Sequence, residues 1–200
     1  KLLLDAEEYQ HLAQSLLSGR WADAAARTYV HGILFPALWA VVEWCGGDVL
    51  ALQLLQAVLG ALTCVLLYFG ARHLLQPVGA ILCGLLAGAY WPFLLFGTQP
   101  LATTLVVFLA AGLLAWLSRP WSSTWHQPLG TGLILALLGA TRANALLLAP
   151  VAAWITYNRC VCAGHSCRRS MLVLSVGLVI GLAPFLAHNL QTQGTLLPFE

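Results

Sequence analysis

The densest set of reactive side chains is the run Leu4-Asp5-Ala6-Glu7-Glu8-Tyr9-Gln10-His11, which follows an apolar start at Leu2-Leu3-Leu4. A carboxylate held at a membrane surface can take a proton from an acceptor hydroxyl or amine, provided it lies within hydrogen-bond reach of that group. Asp5 is the candidate base and Glu8 the second candidate acid. The same letters also describe a helix start, with Asp5 capping a helix over residues 6–18 and Glu8 at its third position. A cap and a base are compatible roles, and both stay open.

Arg142 stands inside an apolar stretch, where an ionised side chain is expensive and generally faces a cavity, a partner or a ligand. It suits a lipid phosphate through charge-assisted hydrogen bonds; the alternative is that it snorkels or pairs with Glu43. Arg27, Tyr29 and His31 cluster just before the next apolar run, as the lining of an interfacial pocket or as an ordinary belt of polar tips. Cys160, Cys162, His165 and Cys167 form a C-x-C-x-x-H-x-C run that fits no paired zinc-knuckle spacing, so they read as reduced thiols rather than a metal site. There is no phosphate-cradling glycine loop, G-x-S-x-G elbow or H-E-x-x-H helix. These residues assign no cofactor, and a divalent metal stays open.

Positioning such groups falls to a body with little polar surface. Hydrophobic residues make up 60% of the chain and charged residues 8%, against about a quarter charged in a soluble domain. With a mean hydropathy of +0.83, lipid must replace water as the main solvent. The net charge of +2, with scattered arginines, excludes a nucleic-acid partner.

The expected fold is all-α, a polytopic transmembrane bundle of about six crossings with an N-terminal interfacial helix. Residues 1–31 form an outer-face interfacial loop and helix, residues 32–190 the bundle, and residues 191–200 the start of an outer-face loop. The crossings fall at residues 32–46, 49–75, 78–96, 101–117, 129–157 and 171–186, the fifth interrupted at Thr141-Arg142-Ala143-Asn144. If Arg142 instead marks the tip of a re-entrant hairpin, the count changes by one. Gly60, Gly84 and Gly88 read as close-packing positions between helices. The loop at residues 158–170 has Arg159, Arg168 and Arg169 and no acid, which places it in the cytoplasm. Residues 1–31 and 188–200 then share the opposite face, and so do Arg72 and Arg119, against the rule. Without an initiator methionine, the chain is expected to be a fragment whose missing parts are needed for activity.

The order of these features resembles the polyprenol-dependent integral membrane glycosyltransferases, the superfamily of protein O-mannosyltransferases and aminoarabinose transferases. The resemblance rests on L-D-A-E-E-Y-Q-H-L-A-Q-S-L-L-S-G-R-W, then H-G-I-L-F-P-A-L, G-A-R-H-L, G-A-T-R-A-N-A-L-L-L-A-P and A-P-F-L-A-H-N-L-Q-T-Q-G, spread over nearly the whole chain. It implies transfer of a sugar, with inversion, from a polyprenyl-phosphate-linked donor to a lipid, glycan or protein acceptor on the non-cytoplasmic face, in the plasma membrane of a bacterium. Asp5 falls at the family's catalytic aspartate, Glu8 is a secondary acid, and Arg142 matches an arginine in a T-R-P-N-like segment. His188 and Asn189, from the A-H-N element, and His31 and Arg27, from the cluster before the next apolar run, are the candidate substrate-binding residues. Gly32 stands where relatives have a proline, Ala143 replaces the proline after the arginine, and His188 replaces an arginine. The competing readings are a transporter or flippase, which would place charges near the midplane and show internal repeats, and a non-catalytic membrane subunit.

Overall fold

The computed structural model describes residues 4–19, 32–121 and 125–193. Every described element is helical: α1 (Leu4–Leu17), α2 (Leu34–Trp44), α3 (Val49–Ala71), α4 (Pro77–Ala89), α5 (Trp91–Gly97), α6 (Thr103–Ser118), α7 (His126–Thr141), a 3₁₀ segment (Ala143–Leu148), α8 (Ala149–Cys162) and α9 (Cys167–Gln193). Three segments are long and apolar enough to cross a bilayer, Val49–Ala71, Ala143–Cys162 and Cys167–Ala187. Only 17% of each spanning window is buried within the protein, so Leu54, Leu62, Val151 and Val176 face outward and need lipid. The chain is a membrane protein.

Local chemistry sets the breaks. Gly46, at φ +81°, closes α2 in the left-handed conformation, and the Gly47 N–H reaches back to the Val42 carbonyl at 2.9 Å. Asp48 then caps α3, its Oδ1 accepting from the Ala51 N–H at 3.0 Å. Pro77 opens α4 at a position where its missing N–H is harmless. Residues 78–96 do not form one helix. Pro92 cannot donate to a carbonyl one turn back, so Tyr90 is extended and α5 begins as a separate short element.

Paired contacts give the helix directions. In α3 and α6, Gln56 meets Leu101 and Gly70 meets Ala115, so the two run parallel. The antiparallel α3–α4 pair sets Gly84 against Tyr68 and Gly88 against Cys64. In the antiparallel α6–α7 pair, the Trp116 Nε1 donates to the Gln127 carbonyl at 3.1 Å. The close, parallel α7–α9 seam puts Gly132 against Leu174 and Gly177 against Leu129, while Ala136 meets Gly181. Gly177 and Gly181, four apart on α9, let the backbones approach as small residues do between membrane helices.

Two expectations change. Residues 129–157 do not run one way. The chain reverses at Arg142, because the guanidinium of Arg159, near the end of α8, donates to the Arg119 carbonyl beside the start of α7. Leu146 folds back on Gly139, where a side-chain carbon would lie 2.7 Å from it. Nor do residues 32–46 traverse the molecule. α2 has 11 residues, about 16 Å at 1.5 Å per residue, and both its flanks lie at the same end, Gly32 on the close of α7 and Asp48 at the start of α3.

One change removes a traverse and the other adds one. α3, α6, α7 and α9, α4 continued by α5, and the 3₁₀ segment continued by α8 run between the two ends, and α1 and α2 sit together at one of them. Tyr9 stacks edge-on to Phe35 at 5.0 Å, and Phe35 to Trp39 at 6.3 Å, in a core shared with Leu52, Ala102 and Leu105. The described charges separate accordingly. Arg72, Arg119, Arg159, Arg168 and Arg169 lie at the basic end, whereas Asp5, Glu7, Glu8, Glu43 and Asp48 share the acidic end with Arg142. Arg72 and Arg119, expected opposite the loop at residues 158–170, are on its side.

Candidate functional site

Among the described residues, the acidic end holds Asp5 and Glu8 on α1 and Arg142 after α7, from separate parts of the chain. α1 buries Ala6, Tyr9, Leu12 and Ala13 against α2 and turns Glu7, Glu8 and His11 outward. The helix is already formed at Leu4, so Asp5 belongs to its first turn and is not the cap of a helix starting at residue 6; Glu8 is correspondingly not at a third helical position. Asp5 lies four residues, about one turn, before Tyr9 in α1. Glu8 is exposed.

Gly32 fixes how this layer meets the bundle. A Cβ there would collide with the Ala140 carbonyl oxygen and lie 2.5 Å from that of Thr141, so the chain before α2 rests on the carbonyls that close α7. The sequence therefore needs glycine where the resembled family has proline: a proline brings the same Cβ. His31 and Arg27 lie outside the described residues, but Gly32, which follows His31, meets the residue that precedes Arg142.

Arg142 is exposed at the tip of the α7–α8 hairpin, with extended backbone at φ −150° and ψ 126°. Its N–H closes α7 on the Leu138 carbonyl at 2.9 Å, and its carbonyl accepts from the Ala145 N–H at 3.0 Å. The guanidinium thus follows a helix C-terminus, where a cation is favoured. It makes no ion pair with Glu43. His188 and Asn189 lie in the last part of α9, which also runs to the acidic end.

An apolar cavity of about 430 Å³ opens between the C-terminal end of α1, α2 and α9, lined by Leu16, Ile33, Ala37, Trp44, Pro184 and Phe185; Leu16 is about 16 Å along α1 from Asp5. It has the size and lining of a site for a hydrocarbon chain, with carboxylates and a guanidinium at the same end of the molecule.

Sequence reasoning missed the polar anchors of α3. Gln53 and Gln56 donate through Nε2 to the carbonyls of Thr98 and Leu101, each at 2.8 Å, tying α3 to the link between α5 and α6. Two glutamines three apart in an otherwise apolar helix were the available signal. At the basic end, Cys160 is buried with its thiol 3.3 Å from the Ser170 hydroxyl, and Cys162 is exposed. No group of three or more His, Cys, Asp or Glu side chains among the described residues is arranged to hold a metal.

Comparison with protein-family models, with curated proteins and with solved structures gives no match.

Proposed function

We propose that this chain is the membrane-embedded part of a glycosyltransferase that moves a sugar from a polyprenyl-phosphate-linked donor to an acceptor on the non-cytoplasmic face. What supports the reading is that α1 with its carboxylates, the Gly32 junction and Arg142 belong to one end of the molecule, where an apolar cavity opens between α1, α2 and α9. Asp5 takes the proton of the acceptor hydroxyl, and the acceptor oxygen attacks the anomeric carbon. The bond from that carbon to the phosphate oxygen breaks with inversion. Polyprenyl phosphate departs with the bonding pair, and Arg142 meets the charge that develops on it. Glu8 supplements the acidic field, while Arg27, His31, His188 and Asn189 hold donor and acceptor. The prenyl chain occupies the cavity bounded by Trp44 and Phe185.

The charge distribution supports the orientation. Five arginines at one end fit a cytoplasmic face under the positive-inside rule, which leaves the acidic end on the opposite side, where lipid-linked sugars without nucleotides are used. Six traverses become six crossings in this reading, with a bacterial plasma membrane as the setting. Assaying the full-length parent protein in membranes with a panel of polyprenyl-phosphate sugars tests it: transfer of one sugar to a lipid, glycan or protein acceptor is expected. No transfer with any donor sinks the enzymatic reading in favour of a transporter or a non-catalytic subunit.

A further inference from the structure

A second cavity, of about 670 Å³, lies between α3, α4 and α5. Its walls are unusual for a helix contact. Gly60 has nothing within 4 Å of where a Cβ would stand, and Gly88 has only the Cys64 thiol, at 3.7 Å. These two glycines therefore do not bring backbones together, as their spacing suggested; Gly84 does, at 3.3 Å from the Cys64 carbonyl. A glycine in a helix interior costs about 1 kcal/mol relative to alanine, so the open positions hold space at the expense of stability.

The floor carries a polar group. Gln56, 1% exposed, lines the cavity; its Nε2 is committed to the Leu101 carbonyl, and its Oε1 has no hydrogen-bond partner. A buried acceptor without a donor costs about 1–3 kcal/mol, which a bound donor would recover. A packed helix from another chain cannot supply that donor from its backbone, because its mid-helix N–H groups are already bonded internally. No Lys, Arg, His, Asp or Glu lines the cavity, so nothing there would neutralise an anionic head group. Leu54, Ala57 and Ala61 on its rim are exposed and would face acyl chains.

We infer that this cavity binds a neutral lipid with a hydroxyl head, the hydroxyl donating to the Gln56 Oε1 and the chain lying along Gly60 and Gly88. The site is independent of the proposed sugar transfer. The test uses the full chain in nanodiscs and a photoreactive, alkyne-bearing monoacylglycerol. Labelling is expected on the peptides that carry Gln53–Cys64 and Ala87–Thr98 residues of the cavity wall, and monoolein should compete better than its methyl ether. Gly60→Leu should abolish it, since the new side chain fills the cavity without meeting backbone. Gln56→Leu should weaken it about two- to tenfold, the worth of one net hydrogen bond.

A second readout needs no substitution: monoolein should slow alkylation of Cys64 by N-ethylmaleimide and leave the exposed Cys45 and Cys83 unaffected. Labelling spread evenly over the lipid-facing helices, labelling unchanged by Gly60→Leu, or Cys64 shielded only by pairing of two copies would each overturn the proposal.

Discussion

Replacing Gly32 by alanine tests the junction on which the acidic end is built. The added Cβ would lie 2.5 Å from the Thr141 carbonyl oxygen, and contacts under 3.0 Å are essentially never seen, so α2 and α7 must part by at least 0.5 Å (3.0 minus 2.5), and by more at Ala140. The obstacle is backbone at the end of a buried helix, so it cannot swing aside as a flexible side chain would. Overpacking of this kind costs about 1–3 kcal/mol. For a chain of this size that lowers the unfolding midpoint by roughly 2–12 °C. A displacement approaching 1 Å between catalytic groups can lower a rate by about a hundredfold, so activity should fall more than stability. Thermal unfolding in detergent, alongside sugar transfer in membranes, reads both. Gly60→Ala is the matched control: its Cβ meets nothing, and the better helix former should add about 0.5–1 kcal/mol. An unchanged midpoint and unchanged transfer in Gly32→Ala would refute the contact between the chain before α2 and the end of α7.

Three further outcomes follow from the packing and the charge layout. Gly132→Leu, with the Leu178 amide 2.7 Å from its first side-chain carbon, should separate α7 from α9 and leave little folded protein on size-exclusion chromatography; a normal monodisperse peak would argue against the parallel seam. Asp48→Ala removes the acceptor for the Ala51 N–H and should destabilise by about 1 kcal/mol in thermal unfolding, whereas Asp48→Asn should recover most of it. In sealed cells, a membrane-impermeant maleimide should reach the exposed Cys45 and should reach the exposed Cys162 only after permeabilisation. The reverse order would invert the proposed orientation.

Much of the architecture was legible because its punctuation is chemical. Gly46-Gly47-Asp48 announced a helix end and a new start, and Gln76-Pro77 a break, since only certain residues provide a left-handed turn, a cap or a missing donor. Direction was not legible. Hydropathy reads residues 129–157 the same way whether the chain continues or turns back, and the reversal at Arg142 depends on Leu146 finding room over Gly139 and on Arg159 reaching Arg119, both of which are tertiary. The run at residues 32–46 is apolar enough for a crossing, but its length and the shared position of its flanks make it a cap on one end. Once both are corrected, the arginines that contradicted the loop rule fall on one side.

The glycines show the same limit: Gly32 and Gly132 meet backbone, while Gly60 meets nothing, and no local letter distinguishes them. Of the candidate site, Asp5, Glu8 and Arg142 were picked out by residue type. Their placement at one end was not visible until α1 was seen packed on α2 and α2 seated on the close of α7.

The most direct measurement is steady-state sugar transfer by the full-length parent protein in membranes, comparing wild type with Asp5→Asn and Arg142→Gln at matched expression. The account predicts that Asp5→Asn loses kcat by at least about a hundredfold while donor binding persists, as removal of a general base should. It also predicts that Arg142→Gln loses affinity for the phosphate-bearing donor as well as rate. Transfer by Asp5→Asn at the wild-type rate, from protein that folds normally, would contradict it.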